Sequence, residues 1–238
     1  MNRWKGSYAW ICLTIAAGII LGCAAGSRTV SVFAENCRAG QRLTFVIDPG
    51  HGGVDGGATS WDGKLESGYN LEIALRLRDL FHLLGYQTRM IRTTDTSIHT
   101  KGETIAAQKL SDLKERVRIA NEIPNSILIS IHQNTFSDSR YFGAQVFYAK
   151  TQGSQELAKH LQTSLVASLN PGSKRVAKQA SEIYLMEHIQ VPGILVECGF
   201  LSNPEESARL ETCEYQKQLC CVIASAATEF VERGYANT

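Results

Sequence analysis

The chain has 238 residues, 44% of them hydrophobic, so it can bury one substantial core, and nothing in it suggests a second. The formal net charge of +1 provides no long-range field, which argues against nucleic acid as a partner. The seven cysteines are odd in number and contain no C-x-x-C pair, which argues against a zinc ribbon and against a disulfide framework.

Residues 1–27 have the pattern of a targeting segment. Arg3 and Lys5 precede an uncharged stretch at residues 6–27 that is just long enough to span a bilayer. Three outcomes stay open: a retained signal anchor, cleavage near Val32-Phe33-Ala34, or acylation of Cys23 in a lipoprotein-like box. Each of them places the domain outside the cytoplasm and confines membrane contact to this segment.

The rest of the chain alternates predicted strands and helices. Residues 28–41 are polar and predict a tether, and the folded domain is expected at residues 42–236. Its predicted elements are, in order, a strand at 45–48, a helix at 71–84, a strand at 86–91, an exposed loop at 96–109, a helix at 110–120, a strand at 126–132, a strand at 143–148, a helix at 157–169, short strands at 182–186 and 193–197, and helices after Asn203. This order predicts a single α/β domain with a mostly parallel or mixed central sheet, flanked by helices on both faces.

Three of the apolar runs end in a chemically active side chain. The runs lead to His51 in a glycine-rich loop, to His132, and to Glu197. Continuous apolar runs suit central strands that helices cover on both faces. If these strands are parallel, their carboxyl ends meet at one edge of the sheet, where open α/β sheets place their sites. We therefore expect the three side chains to converge.

Two histidines at strand ends suggest a catalytic zinc site. Such a site takes three protein ligands and keeps one position for water, whose pKa the metal lowers to about 7. Glu66 is the first glutamate after His51 and is a candidate for the third ligand, with Asp55 and Asp62 as rivals. A strand-end histidine is by itself more often a structural residue, so this hypothesis depends on the whole set.

Glu197 is interpreted as a general base and then a general acid, which takes a proton from the attacking water and returns it to the leaving nitrogen. An ion-pair partner or a helix cap is the plainer alternative. Asp48 is expected to orient His51 or brace its loop. Arg92 and Arg116 are expected either to grip substrate carboxylates or to form salt bridges. Asn134 joins them as a substrate-binding or supporting residue.

Four motifs together resemble the zinc-dependent N-acetylmuramoyl-L-alanine amidases of bacterial cell walls. They are Asp48-Pro49-Gly50-His51-Gly52-Gly53, Glu66 before Asn70-Leu71-Glu72-Ile73-Ala74, Ser130-Ile131-His132-Gln133-Asn134, and Val196-Glu197-Cys198-Gly199-Phe200-Leu201-Ser202-Asn203. The resemblance implies one Zn²⁺ held by His51, Glu66 and His132, with Glu197 as the catalytic carboxylate, and so favours Glu66 over Asp55. The chain departs from the usual pattern at Ser67-Gly68, Thr135 and Cys198, none of which removes a required chemical group.

Within that family, the short single domain, the Lys101-Gly102 loop and the stretch Ile183-Tyr184-Leu185-Met186 most resemble the CwlD-type germination-specific amidases. This likeness implies hydrolysis of the bond between N-acetylmuramic acid and L-alanine in spore cortex peptidoglycan, leading to muramic lactam, in the forespore intermembrane space. A general autolysin of the same family and a non-catalytic wall-binding module are the alternatives. The loop at 96–109 also motivates the hypothesis of an activator protein.

Overall fold

The computed structural model describes residues 43–234. Its strands are β1 (Thr44–Pro49), β2 (Gln87–Met90), β3 (Ser126–Asn134), β4 (Gln145–Tyr148), β5 (Lys178–Gln179) and β6 (Gly193–Phe200). Its helices are α1 (Glu66–Leu83), α2 (Ile105–Asn121), α3 (Ser154–Ser168), α4 (Tyr184–His188), α5 (Pro204–Glu211) and α6 (Cys213–Glu232). The alternation of strands and helices confirms the predicted α/β class.

The sheet is mixed, with a parallel centre. Its strand order is β2-β1-β3-β6-β4-β5. The strands β2, β1, β3 and β6 run parallel, β4 is antiparallel to β6, and β5 is parallel to β4. The carboxyl ends of β1, β3 and β6 therefore lie side by side at one edge of the sheet.

Helices cover both faces of the sheet. Successive side chains of β1 enter opposite cores, since Phe45 and Ile47 pack on one face and Val46 on the other. The first core contains side chains of α1, α3 and α6, and the second contains side chains of α2 and α4. Burying one such apolar side chain contributes about 1.5–3 kcal/mol. Burial on both faces explains why the central strands read as continuous apolar runs.

The start of α2 corrects one prediction. Residues 96–109 were expected to form a loop, which is wrong for 105–109 because the helix begins at Ile105. The Thr104 hydroxyl caps it by accepting a hydrogen bond from the Ala107 N–H at 3.2 Å. Ile105 is 61% exposed, so the first turn lacks the apolar periodicity by which a helix is recognised.

The prediction of a strand at 182–186 was also wrong, because residues 184–188 form the short helix α4. Leu185 and Met186 are adjacent and both buried, which the alternating geometry of a half-exposed strand does not allow. A run of four apolar residues is too short for its period to separate the two structures.

The predicted targeting segment (1–27), the tether (28–41) and residues 42, 235 and 236 of the predicted domain lie outside the described residues. Within residues 43–234, no helix combines the length and the hydropathy needed to cross a bilayer.

Candidate metal centre and active site

The parallel strands bring the predicted site residues to one edge. In the pairing of β3 with β6, His132 lies directly opposite Glu197. In the pairing of β1 with β3, Asp48 lies opposite Ser130. Register neighbours on adjacent strands project to the same face of a sheet, about 4.8 Å apart. The expected convergence of the strand ends is therefore present in the fold.

His51, Glu66 and His132 form a cluster of donor atoms. One ligand atom from each lies within 4.8 Å of the other two. The His51 Nε2 atom is 3.3 Å from Glu66 Oε2, and the His132 Nδ1 atom is 3.0 Å from Glu66 Oε1. Two imidazoles and one carboxylate are a donor set used by catalytic metal centres. The three residues could hold a metal ion.

His51 is held in an unusual backbone conformation. Its φ of 60° lies in the left-handed region, which is uncommon for a residue with a side chain and often marks a functional site. Its Nδ1 atom is 3.0 Å from Asp55 Oδ2, and Lys109 Nζ is 2.7 Å from Asp55 Oδ1. Burial lowers the pKa of His51, but the carboxylates of Glu66 and Asp55 outweigh burial and raise it to about 9. The site thus favours a positive charge at this imidazole, which a proton or a metal ion can supply.

Glu66 is oriented by hydrogen bonds that sequence analysis missed. Its carboxylate accepts from the Ala58 N–H at 2.9 Å, the Gln133 N–H at 3.1 Å and the Asn70 Nδ2 at 3.1 Å. Burial raises the pKa of Glu66, but His132 and His51 outweigh it and keep that pKa well below its usual range. Asn70 is fully buried, one turn after Glu66 on α1, and this spacing was the available signal for its role.

Two glycines leave room for the side chains of His132 and Glu66. A Cβ added to Gly50 would lie 2.1 Å from His132 Nε2, and a Cβ added to Gly57 would lie 2.5 Å from Glu66 Oε2. Gly57 also has a φ of +70°. The glycine-rich loop therefore approaches the cluster more closely than any other residue type would permit.

Arg92 and Arg116 are buried, and both contact the backbone of the His51 loop. The carbonyl oxygens of Pro49, Gly50 and His51 accept hydrogen bonds from the two guanidinium groups at 2.7–2.9 Å. Of the two roles expected for them, the geometry matches the structural one. Their hydrogen bonds fix the loop rather than reach toward solvent.

Arg116 is also the centre of a buried ion network. It donates to Asp48 Oδ1 and to Asp112 Oδ2, each at 2.5 Å, and Asp48 accepts from the Ser130 hydroxyl at 2.6 Å. Burial raises the pKa of Asp48, but Arg116 and Ser130 outweigh it and lower that pKa. Asp48 therefore holds Arg116, which in turn binds the backbone of the His51 loop. These contacts are those of a residue that braces the loop, one of the two roles expected for Asp48.

Glu197 lies beside the cluster as a half-buried residue with one buried carboxylate oxygen. Its Oε2 atom is buried and has no hydrogen-bond partner. Burial raises the pKa of Glu197 to about 7, although His132 opposes this shift. Asn134 ends β3, and its carbonyl oxygen accepts a hydrogen bond from the Leu201 N–H at 2.8 Å. A proton acceptor near neutral pH thus stands next to the three donor residues.

Glu206 fixes the end of β6, a role that the sequence pattern did not indicate. Its Oε2 atom accepts hydrogen bonds from the Phe200 N–H at 2.8 Å and the Gly143 N–H at 2.9 Å. Asn203 caps α5, because its side chain accepts from the Glu206 N–H at 3.0 Å. Glu206 therefore ties the strand that carries Glu197 to the segment that precedes β4.

A cleft of about 200 Å³ opens beside the two histidines, between the sheet edge and the helices α2 and α4. We call it the histidine cleft. Lys109 and Arg116 line it, and both are paired with carboxylates, so the cleft has no unpaired cation in its lining. A second, larger groove of about 640 Å³ lies on the β4 side of the sheet.

Known proteins resemble the domain that carries this site. Residues 45–229 match the family model described as N-acetylmuramoyl-L-alanine amidase, a range that contains the donor cluster and Glu197. The germination-specific N-acetylmuramoyl-L-alanine amidase of Bacillus subtilis (strain 168) is 38% identical over 194 residues, covering 80% of this chain and 81% of that protein. The CwlD amidase from Clostridioides difficile, solved in complex with the GerS lipoprotein, has a TM-score of 0.76 at 34% identity, covering 80% of this chain and 98% of that one. An N-acetylmuramoyl-L-alanine amidase from Clostridium difficile 630 has a TM-score of 0.71 at 29% identity, covering 81% and 98%.

Proposed function

Because the chain belongs to the N-acetylmuramoyl-L-alanine amidase family, we propose that His51, Glu66 and His132 hold one zinc ion and that Glu197 moves the proton of the reaction. The enzyme hydrolyses the amide bond between N-acetylmuramic acid and L-alanine in peptidoglycan. The observation that carries the proposal is a three-residue donor cluster beside a buried carboxylate oxygen that has no partner.

A zinc ion bound there supplies Lewis acidity, which polarises the amide carbonyl and lowers the pKa of water toward about 7. Glu66 is held in place by Asn70 and two backbone N–H groups, and Asp55 fixes the ring of His51. Such outer contacts orient metal ligands and raise their basicity. Arg92 and Arg116 bind the backbone of the His51 loop, and these contacts hold the donor side chains at fixed positions.

Glu197 accepts a proton from the attacking water at its carboxylate. It then donates that proton to the nitrogen of L-alanine as the C–N bond breaks, which leaves a lactyl carboxyl group and a new amino terminus. A group with a pKa of about 7 can accept and donate a proton at neutral pH.

The test is zinc content and peptide release from purified peptidoglycan. We expect Glu66→Ala and His132→Ala to lose bound zinc and activity. We expect Glu197→Gln to keep zinc and to lose activity by about 10²–10⁴-fold, because only proton transfer is removed. Glu205→Gln, an exposed position on α5, is the control and should behave like wild type. Wild-type turnover by Glu197→Gln would refute the assigned role.

We also place the reaction in the spore cortex. Support comes from the relatives, since one is a germination-specific amidase and another is the CwlD amidase. Removal of the stem peptide leaves a muramic acid that a separate deacetylase can carry toward muramic lactam. Deleting the gene should remove muramic lactam from cortex digests, and wild type but not Glu197→Gln should restore it. Normal lactam content in the deletion would favour a general autolysin.

We propose further that the enzyme works outside the cytoplasm, with residues 1–27 directing export, and that an activator protein binds it. The CwlD amidase with a similar fold was solved with a lipoprotein partner. Val54 and Ile105, which are 62% and 61% exposed, offer apolar contact surface on the His51 loop and at the start of α2. Full turnover by the purified chain alone would contradict the need for an activator. Retention of the chain in the cytoplasm would contradict export.

A further inference from the structure

Building on the proposed function, we infer that the groove on the β4 side binds carboxylates of the stem peptide and makes the enzyme prefer acidic stems to amidated ones. We call this groove of about 640 Å³ the basic groove. Its cationic lining consists of Arg140, Lys174, Arg175 and Lys178. Tyr141 and Phe142, 47% and 52% exposed, form an aromatic rim.

The basic groove has an excess of positive charge. Its single carboxylate, Asp138, pairs with Arg140 at 2.7 Å. Lys174 and Lys178 are exposed, and neither forms an ion pair within residues 43–234. Unpaired cations in a groove raise the local concentration of anionic ligands and help to select them over neutral ones.

Arg175 gives the groove a fixed recognition group. Its Nε donates to the Phe142 carbonyl oxygen at 3.0 Å, and its guanidinium carbon lies 4.8 Å from the centre of the Phe200 ring. Its Nη1 also donates to Gln145 Oε1 at 3.4 Å. A guanidinium held by stacking and by two hydrogen bonds loses little conformational freedom when it binds a carboxylate. This arrangement favours recognition of a planar anion.

The groove begins next to the proposed catalytic carboxylate. Gln145 lines it and is the register partner of Glu197 in the pairing of β4 with β6, so the two backbones are about 5 Å apart. In a stem peptide, the first free carboxylate belongs to the D-glutamate that follows L-alanine. An extended residue spans about 3.5 Å, so this carboxylate lies about one residue beyond the scissile amide, on the scale of the spacing between Glu197 and Gln145.

The histidine cleft is the other candidate for the peptide. It is smaller, at about 200 Å³, and the cations in its lining are already paired with carboxylates. The zinc proposed at its edge is needed for the scissile carbonyl, and its lining provides no unpaired side-chain cation for a stem carboxylate. Neutral sugar hydroxyl and acetamido groups need no charged partner. The difference in charge therefore assigns the peptide to the basic groove and the muramic sugar to the histidine cleft.

The test compares wild type with the double variant Lys174→Glu/Lys178→Glu on three substrates at low ionic strength. These are a muramoyl peptide with a free D-glutamate carboxylate, its amidated counterpart, and N-acetylmuramoyl-L-alanine amide. We expect the double variant to raise KM for the acidic peptide about three- to tenfold with kcat nearly unchanged, and to leave the other two substrates unaffected. Lys159→Glu/Lys217→Glu, on exposed positions of α3 and α6, is the charge-matched control and should not change KM.

A direct titration of the free acidic stem peptide provides a second readout, and wild type should bind it more tightly than the double variant. An unchanged KM, or an equal rise on all three substrates, would overturn the inference. If wild type cleaves none of the substrates, the proposed function fails, and the titration still decides whether the groove binds the peptide.

Discussion

Arg116→Met should be among the most destabilising single changes in this domain. Arg116 is 2% exposed and donates to two carboxylates and to two carbonyl oxygens of the His51 loop. Methionine fills much of the same volume without the charge. The substitution leaves Asp48, which is 1% exposed, without its cation. Removing one partner of a buried ion pair costs about 3–5 kcal/mol, a large share of the 5–15 kcal/mol by which a domain is typically stable.

Urea unfolding of wild type, Arg116→Met, Asp48→Asn and the double variant Asp48→Asn/Arg116→Met measures the loss in free energy of unfolding. The control is Arg118→Met on the same helix, whose side chain is 53% exposed and pairs with Glu115 and Glu122 at the surface. Surface pairs contribute about 0–1 kcal/mol, so the control should lose far less stability. Zinc affinity should fall in Arg116→Met and not in the control, because only Arg116 holds the His51 carbonyl.

A double-mutant cycle isolates the ion pair. In the Asp48→Asn background the same Arg116→Met change should cost at least about 1 kcal/mol less, because position 48 no longer carries a buried charge that loses its cation. Additivity of the two changes within about 0.5 kcal/mol would refute the reasoning, since it would show that the two groups are not coupled. A cost similar to that of the Arg118→Met control would refute it as well.

Three further predictions follow from the site. Gly57→Ala should weaken zinc binding about tenfold or more in isothermal titration, because its Cβ would contact Glu66. The control is Gly63→Ala, which has a positive φ but no neighbour within 4 Å, and it should cost only about 1 kcal/mol of stability. The folded pKa of Asp48 lies below its usual value of 3.8, so its contribution to stability is present above that value and is lost as pH falls through the folded pKa. Wild type should thus lose stability more steeply than Asp48→Asn between about pH 5 and pH 3. Glu206→Ala should cost about 2–4 kcal/mol in urea unfolding, because it leaves two buried N–H groups without an acceptor. Glu206→Gln should retain most of the stability. Equal losses in both variants would contradict this account.

The strand ends were predictable from sequence because each is a continuous apolar run that stops at a functional residue. The positions of His132 and Glu197 follow from that pattern and from parallel pairing. The choice of Glu66 over Asp55 did not follow from the residues alone, since a loop can deliver either carboxylate to His51. The structure distinguishes them by placing Asp55 on the far nitrogen of the imidazole.

The arginines and the short helix were harder to interpret. A buried arginine that binds main-chain carbonyls has no sequence pattern, because its partners are atoms that every residue has. Arg92 and Arg116 therefore could not be separated from substrate-binding or surface arginines by inspection. The helix α4 was missed because four apolar residues fit a strand and a helical turn equally well.

The donor residues of the metal cluster are distant in sequence, with 66 positions separating Glu66 from His132. The complete set meets only after β1 and β3 have paired, because His132 lies on β3. A partly folded chain therefore lacks the full set of ligands, and capture of the proposed ion should be a late event in maturation that reports a completed fold. For the same reason, a chelator should compete for the ion mainly by capturing it when the sheet edge opens.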